Sequence, residues 1–244
     1  MGDNAVVVLA IAAVVAVAGF SLWRSQVRQK AFAAWAQAAG WTYQASDPSL
    51  VDRWSGQPFD QGGRSRRATE VLSGTVTGAT GRHQVTSFTY SYTKDSGSGA
   101  NRSRSSTTYH HHVMVTPLPV PLPTLELTHD GLGARMAKLV GGQDIEFESE
   151  DFNRAWRVQS HQLKFAHDVV RPLLMERLMR ADARSVSFRI EGDTLLVWDE
   201  GRSDLDRIGP YGFMMAAVVE SIPRFVWQDH GYDPPITSSA REGL

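Results

Sequence analysis

Three consecutive histidines, His110 to His112, stand in the segment TTYHHHVMV. Successive side chains of a strand point to opposite faces, so His110 and His112 share one face and His111 lies on the other. A His-x-His pair on a strand can bind zinc or iron when a third ligand completes the site. If the following PLPVPLP is a turn, strand pairing brings His129 near His111, on the wrong face for that pair. The sequence therefore predicts structural strand histidines, with a metal site at His110 and His112 as the alternative.

Other patterns that could support catalysis are incomplete. The chain has no Gly-x-Ser-x-Gly and no His-Glu-x-x-His, and Ser91 to Lys94 matches Ser-x-x-Lys only at a predicted strand end. His167 and Asp168 are chain neighbours on a predicted helix, so they cannot face each other. The absence of cysteine excludes a thiol nucleophile, a thiolate metal site and disulfides. We expect no cofactor and no catalytic residue, and a hydrolase or metal enzyme using the histidine strand is an alternative.

An uncharged run of 19 residues, Ala5 to Trp23, lies near the N-terminus. At about 1.5 Å per residue it spans about 28 Å, close to the ~30 Å thickness of a hydrocarbon core. The run predicts a transmembrane helix that contacts the lipid bilayer through residues 5–23. A cleaved signal peptide is the competing interpretation, because AVA at 16–18 has the form of a cleavage site. The preceding MGDN, however, lacks the basic n-region of a signal peptide.

Basic residues follow this hydrophobic run at once. Arg24, Arg28 and Lys30 predict that the C-terminal side stays in the cytoplasm and the short N-terminus outside, with an extracytoplasmic domain as the alternative. The basic excess continues, since residues 24–105 hold 11 basic and 5 acidic residues, whereas residues 106–244 hold 14 and 20. Such a half can bind anionic lipid headgroups or face the acidic half of the same domain. The basic candidates for lipid contact are Arg24, Arg28, Lys30, Arg64, Arg66 and Arg67.

The charge of the whole chain is close to balanced, with 25 Lys and Arg against 26 Asp and Glu, so it gives no sign of a nucleic-acid partner. Hydropathy and breakers predict an N-terminal transmembrane helix followed by one α+β domain with an antiparallel sheet and packed helices. The predicted divisions are an outside N-terminus and membrane helix at 1–23, a juxtamembrane helix at 24–40, the domain at 41–228 with a mobile loop at 94–106, and a flexible tail at 229–244.

Several elements of the domain are predicted from local pattern. TEVLSGTVTG and HQVTSFTYSYT alternate and read as a hairpin, PLPVPLP as a polyproline-like or edge connection, and GLGARMAKLVGG as a short helix. DIEFESEDFNRAWRVQS, Asp144 to Ser160, predicts a strand whose carboxylates between Asp144 and Glu150 share one face, and SVSFRIEGDTLLVWDEG predicts a hairpin turned at Gly192-Asp193. Pro172 should split a helix whose buried stripe includes Val169, Val170, Leu173 and Leu174. A last helix is expected at 211–221.

The segment FESEDFNRAWRVQSHQLKFAHDVVRPLLMERLMR, Phe147 to Arg180, resembles a bacterial family catalogued only as a domain of unknown function. Members join F-E/N-x-x-F-x-V to a short helix, a proline break and an M-E-R-L helix. The flanking GWTYQASDPSLVDRWSGQPF and IPRFVWQDHG are similar to actinobacterial, membrane-anchored relatives, so the likeness covers most of residues 31–231. It implies a fold and supplies no catalytic residue. Arg171 departs from the pattern, because many relatives have a helix-capping Thr or Ser there.

These observations favour a single-pass membrane protein whose domain serves as an interaction or scaffold module at the cytoplasmic membrane face. The expected partner is a membrane or cytoplasmic protein. An anionic-lipid-binding module is the first alternative, and the metal-dependent hydrolase is the second.

Overall fold

The computed structural model describes residues 2–79, 81–96, 105–129 and 143–235. Its elements run α1 Gly2–Ala39, β1 Thr42–Ser46, β2 Arg64–Thr77, β3 Arg82–Ser96, β4 Ser105–His129, β5 Gln143–Ile145, α2 Glu150–Ala155, β6 Trp156–Ser160, α3 Leu163–Val169, α4 Pro172–Leu178, β7 Ser187–Glu200, α5 Leu205–Ser221 and α6 Arg224–Asp229. The strands form an antiparallel sheet in the order β1-β2-β3-β4-β6-β5, and β7 also pairs with β4. The predicted α+β class with an antiparallel sheet is therefore confirmed.

The β2–β3 hairpin forms where the sequence predicts it, with Val76 opposite His83. The predicted loop at 94–106 is wrong at its two ends, because β3 runs to Ser96 and β4 begins directly opposite it at Ser105. Threonines and serines at these ends pair in the ladder, and local polarity alone does not reveal that pairing. Residues 97–104 of the predicted loop and the predicted helix at 131–142 lie outside the described residues.

β4 passes straight through PLPVPLP, so the predicted connection there is wrong. On one side of β4, β3 pairs up to Val115 and β6 pairs from Leu125, and the prolines lie between those two ladders. A residue without an N–H is tolerated at such a position. His129 consequently does not return beside the triple histidine, and its ring instead lies 4.0 Å from that of Trp156.

β7 is one continuous strand, so the predicted hairpin at Gly192-Asp193 is also wrong. Gly192 has φ +56 and lies opposite Leu122, where the β4–β7 register shifts. The strand bends sharply there: the Arg189 guanidinium lies 5.5 Å from the Trp198 ring centroid, whereas nine residues of straight strand would separate them by about 30 Å. The paired strands β4 and β7 therefore fold over together beside the proline segment.

The sheet buries both of its faces. One face packs against the end of α1 and against α3 to α6, with Leu72, Met114 and Leu127 in the contact. The other face is covered by the segment between β1 and β2, where Trp54 and Phe59 pack on the strands. In the first part of β4, Met114 thus enters one core while its neighbours Val113 and Val115 enter the other.

Helix α1 ends in a Schellman motif, as the glycine at its end predicts. Gly40 has φ +70, its N–H bonds the Gln37 carbonyl, and the N–H of Trp41 bonds the Ala36 carbonyl at 2.8 Å. Phe32 and Ala36 are buried in the domain core, so the last turns of α1 belong to the domain. None of the helices in the described part of the chain is both long and apolar enough to cross a membrane. The membrane span at residues 5–23 stays a prediction from the sequence.

Pro172 splits the α3–α4 segment as predicted, and it is the first residue of α4. Arg171, at the N-cap, makes no side-chain capping bond. The predicted stripe is correct at Val169, Val170 and Leu174 but wrong at Leu173, which is 71% exposed. Because the proline starts a new helix, the spacing of α3 does not continue into α4.

The predicted face of carboxylates between Asp144 and Glu150 does not form. β5 ends at Ile145, and Ser149 caps α2 by accepting a hydrogen bond from the Phe152 N–H. Asp144 pairs with Arg157 at 2.7 Å, whereas Glu150 lies in the first turn of α2.

The first residues of the predicted tail are also held, because Asp233 accepts a hydrogen bond from Arg224.

We expect Leu174→Ala to lower the free energy of unfolding by about 2–5 kcal/mol, because Leu174 is 1% exposed and its removal leaves a cavity. Leu173→Ala is the matched control, with an expected change within about 0.5 kcal/mol. Denaturant titration of the two variants measures both values. Equal losses would show that α4 buries a different face.

Candidate functional site

The histidine strand lies at the centre of the sheet. His112 is paired with Thr89 of β3 on one side and with Asp199 of β7 on the other. The predicted alternation is confirmed, since His112 and Met114 lie on the helix-covered face and His111 and Val113 on the opposite face. The three histidines therefore belong to two different environments.

His112 is 2% exposed, and its Nε2 is 2.9 Å from the Ser87 hydroxyl. Its Nδ1 lies 4.0 Å from Asp199 Oδ1. The other Asp199 oxygen accepts hydrogen bonds from Tyr211, at 2.8 Å, and from Arg207 of α5. Burial lowers the pKa of His112 to about 4, so the imidazole is neutral at physiological pH.

Ser87, His112 and Asp199 lie next to one another in space in the arrangement serine, histidine, aspartate, the residue types of an acyl-transfer triad. The 4.0 Å between His112 and Asp199 exceeds hydrogen-bond distance, and Ser87 is 0% exposed. A carbonyl substrate would have to enter the protein core to reach this hydroxyl. The geometry favours two separate buried polar contacts: His112 with Ser87 joins β4 to β3, and Asp199 with Tyr211 joins β7 to α5.

The His110 and His112 pair also fails to gather a metal-binding set. No group of three or more His, Asp or Glu side chains lies together for a metal ion within the described ranges. His112 already bonds Ser87 through Nε2, and a ligated nitrogen could not keep that bond. The geometry thus gives no support to the alternative of a metal site.

A second buried polar group joins α1 to the sheet. Glu70 is buried at a β2 bulge, where it has φ +57, a left-handed conformation that costs a non-glycine residue about 1–2 kcal/mol. Its carboxylate accepts hydrogen bonds from Arg28, with 3.0 Å between Nη2 and Oε2, and from the Thr89 hydroxyl at 2.7 Å. Arg28 also donates to the Ser203 carbonyl. The strained position therefore aims a buried carboxylate at the arginine of α1.

The other basic candidates are dispersed. Arg64 pairs with Asp95 and Arg66 with Asp52, each at 2.9 Å. Arg24 lies 5.8 Å from the Phe20 ring centroid, and Lys30 and Arg67 are exposed. With Arg28 bound to Glu70, three of the six predicted lipid-facing cations have a carboxylate partner within the domain. These pairs reduce the positive field of the basic half.

A cleft of about 570 Å³ opens on the His111 face, between residues 57–61 and the ends of β3, β4 and β7. Three rings stack along it: the Tyr92 centroid lies 5.3 Å from that of Tyr109 and 5.8 Å from that of His111. The Lys94 ammonium lies 5.4 Å from the Tyr92 ring centroid. The polar lining includes Gln57, Gln61, Lys94, Thr108 and Glu200. Aromatic faces beside amide and charged groups form a surface for an amphipathic ligand.

Sequence reasoning missed both the Glu70 contact and this cleft. The available signal for the cleft was the alternation of Tyr90 and Tyr92 in one predicted strand and the presence of Tyr109 in the histidine strand, which the structure pairs with it. The approach of residues 57–61 to that face has no local signature. Glu70 lies in a strand pattern that does not reveal the bulge.

Together these features define an α+β domain with an N-terminal helix, buried polar contacts beneath its helices and an aromatic cleft on its other face. Neither a protein-family model nor a curated protein matches the sequence. The resemblance to a family of unknown function therefore stays a prediction. The fold is similar to that of the mycobacterial trehalose monomycolate transport factor A, TtfA, in its crystal structure. The TM-score is 0.57 at 15% identity, over 86% of this chain and 97% of that chain, so the likeness concerns the fold alone.

We expect stability to fall as the pH is lowered from about 6.5 toward 4. Burial lowers the pKa of both His111 and His112 to about 4 in the folded protein. In this pH range the unfolded chain therefore binds more protons than the folded protein, and acid favours unfolding. Each histidine contributes up to about 1.4 kcal/mol per pH unit to the slope of the free energy of unfolding against pH in that window. His112→Gln should make this slope smaller than in the parent protein.

The control is His161→Gln, which changes an exposed histidine. Burial raises the pKa of Asp199, a contribution of opposite sign, so the informative quantity is the difference between variant and parent. Denaturant titrations across this pH range measure it. The same slope in both variants would contradict a neutral buried His112.

Proposed function

We propose that this protein is a non-catalytic, membrane-anchored accessory factor in the transport of an envelope glycolipid, and that its domain is an interaction module at the cytoplasmic membrane face. The similar crystal structure is that of a transport factor for trehalose monomycolate, and the likeness extends over 97% of its chain. Ser87 is 0% exposed, so its hydroxyl is not accessible to a substrate.

The observation that carries the proposal is the way α1 joins the domain. Phe32 and Ala36 pack in the core, and Arg28 binds the buried Glu70 and the Ser203 carbonyl. The sheet therefore keeps a set orientation relative to α1. A helix anchored through residues 5–23 would present the same domain surfaces to the membrane and to a membrane or cytoplasmic protein partner.

Anionic-lipid binding by the basic half is the weaker candidate. Of the six predicted lipid-facing cations, Arg28, Arg64 and Arg66 pair with carboxylates of this chain, which leaves Arg24, Lys30 and Arg67 for headgroups. Exposed charges at this density give weak attraction that salt screens.

Depletion of the protein in its native host should slow the appearance of newly labelled glycolipid at the outer envelope. The full chain should restore the rate, whereas a chain of residues 24–244, lacking the hydrophobic run, should not, because it is no longer held at the membrane. Pulse labelling with extraction of surface lipid measures the rate. An unchanged rate after depletion would contradict the transport role.

A further inference from the structure

We propose that the cleft beside Tyr109 binds the carbohydrate headgroup of a membrane-embedded glycolipid, whose acyl chains stay in the bilayer. This inference rests on the proposed function and names the ligand class of the domain. It is carried by the chemistry of the cleft and by its position relative to α1.

The lining matches a neutral sugar better than a fatty chain or an anion. A sugar ring offers C–H faces that stack on an aromatic side chain, and Tyr109 is 41% exposed at the cleft. Sugar hydroxyls need both donors and acceptors, which the amides of Gln57 and Gln61 provide. Lys94 is accompanied by Glu200, so the lining has no positive excess to favour a phosphate.

Helix α1 runs along the sheet toward the end that holds the cleft. Proceeding toward the N-terminus, Trp35 contacts Trp41, which covers Gly74, and Arg28 binds Glu70 farther along β2. Continuing in this direction, β2 leads to Arg64, which is paired with Thr93 of β3. Tyr92 is next to Thr93, so the cleft and the N-terminal part of α1 lie at the same end of the sheet, on opposite faces.

The height of the cleft along α1 can be derived from chain geometry. Arg28 is level with Glu70 and Thr89, and Tyr92 is three residues farther along β3, or about 10 Å. An α-helix covers about 10 Å in six to seven residues, which leads from Arg28 to the turn just before Trp23. Trp23 ends the predicted membrane run, and tryptophan is enriched at the interface between membrane and water. A headgroup at that interface would be level with the cleft.

The test uses the full chain in phosphatidylcholine nanodiscs and a long-chain monoester of trehalose as the probe. Free trehalose, the corresponding fatty acid and phosphatidylglycerol are the comparison ligands. Saturation transfer from the protein to the sugar C–H protons detects contact, and titration gives the Kd. We expect the ester to bind more tightly than free trehalose, because the bilayer raises its local concentration. The fatty acid and phosphatidylglycerol should not compete.

Tyr109→Ala and Gln61→Ala should each weaken ester binding, by about tenfold for the loss of the aromatic face. Phe213→Ala is the matched control, since Phe213 is also an exposed aromatic, at 58%, but lies on α5. Equal affinities of Tyr109→Ala, Gln61→Ala and Phe213→Ala would overturn the site, and competition by the fatty acid would overturn the sugar class. Equal affinity for the ester and for free trehalose would overturn the inference that the ligand is a glycolipid held in the membrane.

The same variants separate this inference from the proposed function. If Tyr109→Ala binds the ester as tightly as the parent protein does while depletion of the protein slows transport, the cleft is not the binding site and the transport role stands. If the cleft binds sugar while depletion changes nothing, the site stands and the role in transport fails.

Discussion

The ion pair between Arg28 and Glu70 is the contact on which the rest of the arrangement depends. A buried carboxylate is costly unless it is paired and hydrogen-bonded, and Glu70 obtains its partners from α1 and β3. Its left-handed backbone conformation at the bulge adds a further cost, which packing around the bulge offsets. Removing Arg28 would leave a buried charge without its cation, so the pair makes correct docking of α1 a condition of a stable sheet.

With α1 held in this way, the two faces of the sheet differ in what they expose. On the helix-covered face, His112 bonds Ser87 and Asp199 bonds Tyr211 of α5, and the burial of these groups leaves no access for a substrate. On the other face the strand ends remain open beside residues 57–61, where the tyrosines and His111 line the cleft. The histidines that first suggest chemistry are therefore mostly structural. The surface with ligand-binding character is formed by their neighbours.

Features with local causes were predictable from the sequence, and those with distant causes were not. Gly40 ends α1 and Pro172 begins α4 because each residue restricts its own backbone. The path of β4 through its prolines depends on β3 stopping and β6 starting on the same side, which no local pattern contains. The prediction that Leu173 is buried was wrong because Pro172 begins a new helix, so the spacing of α3 does not continue to Leu173. The site was harder still, because it needs the Glu70 bulge and the approach of residues 57–61, both set by tertiary packing.

Pulsed electron spin resonance between α1 and the sheet tests the central claim most directly, because the chain has no cysteine to interfere with labelling. Spin labels at Gln29→Cys and Thr107→Cys, both exposed positions, would report the separation in the full chain in nanodiscs. We predict one narrow distance distribution that broadens in Glu70→Gln and stays narrow in Glu148→Gln, an exposed control. A distribution as broad in the parent as in Glu70→Gln would show that the Arg28–Glu70 pair does not fix the domain on its helix.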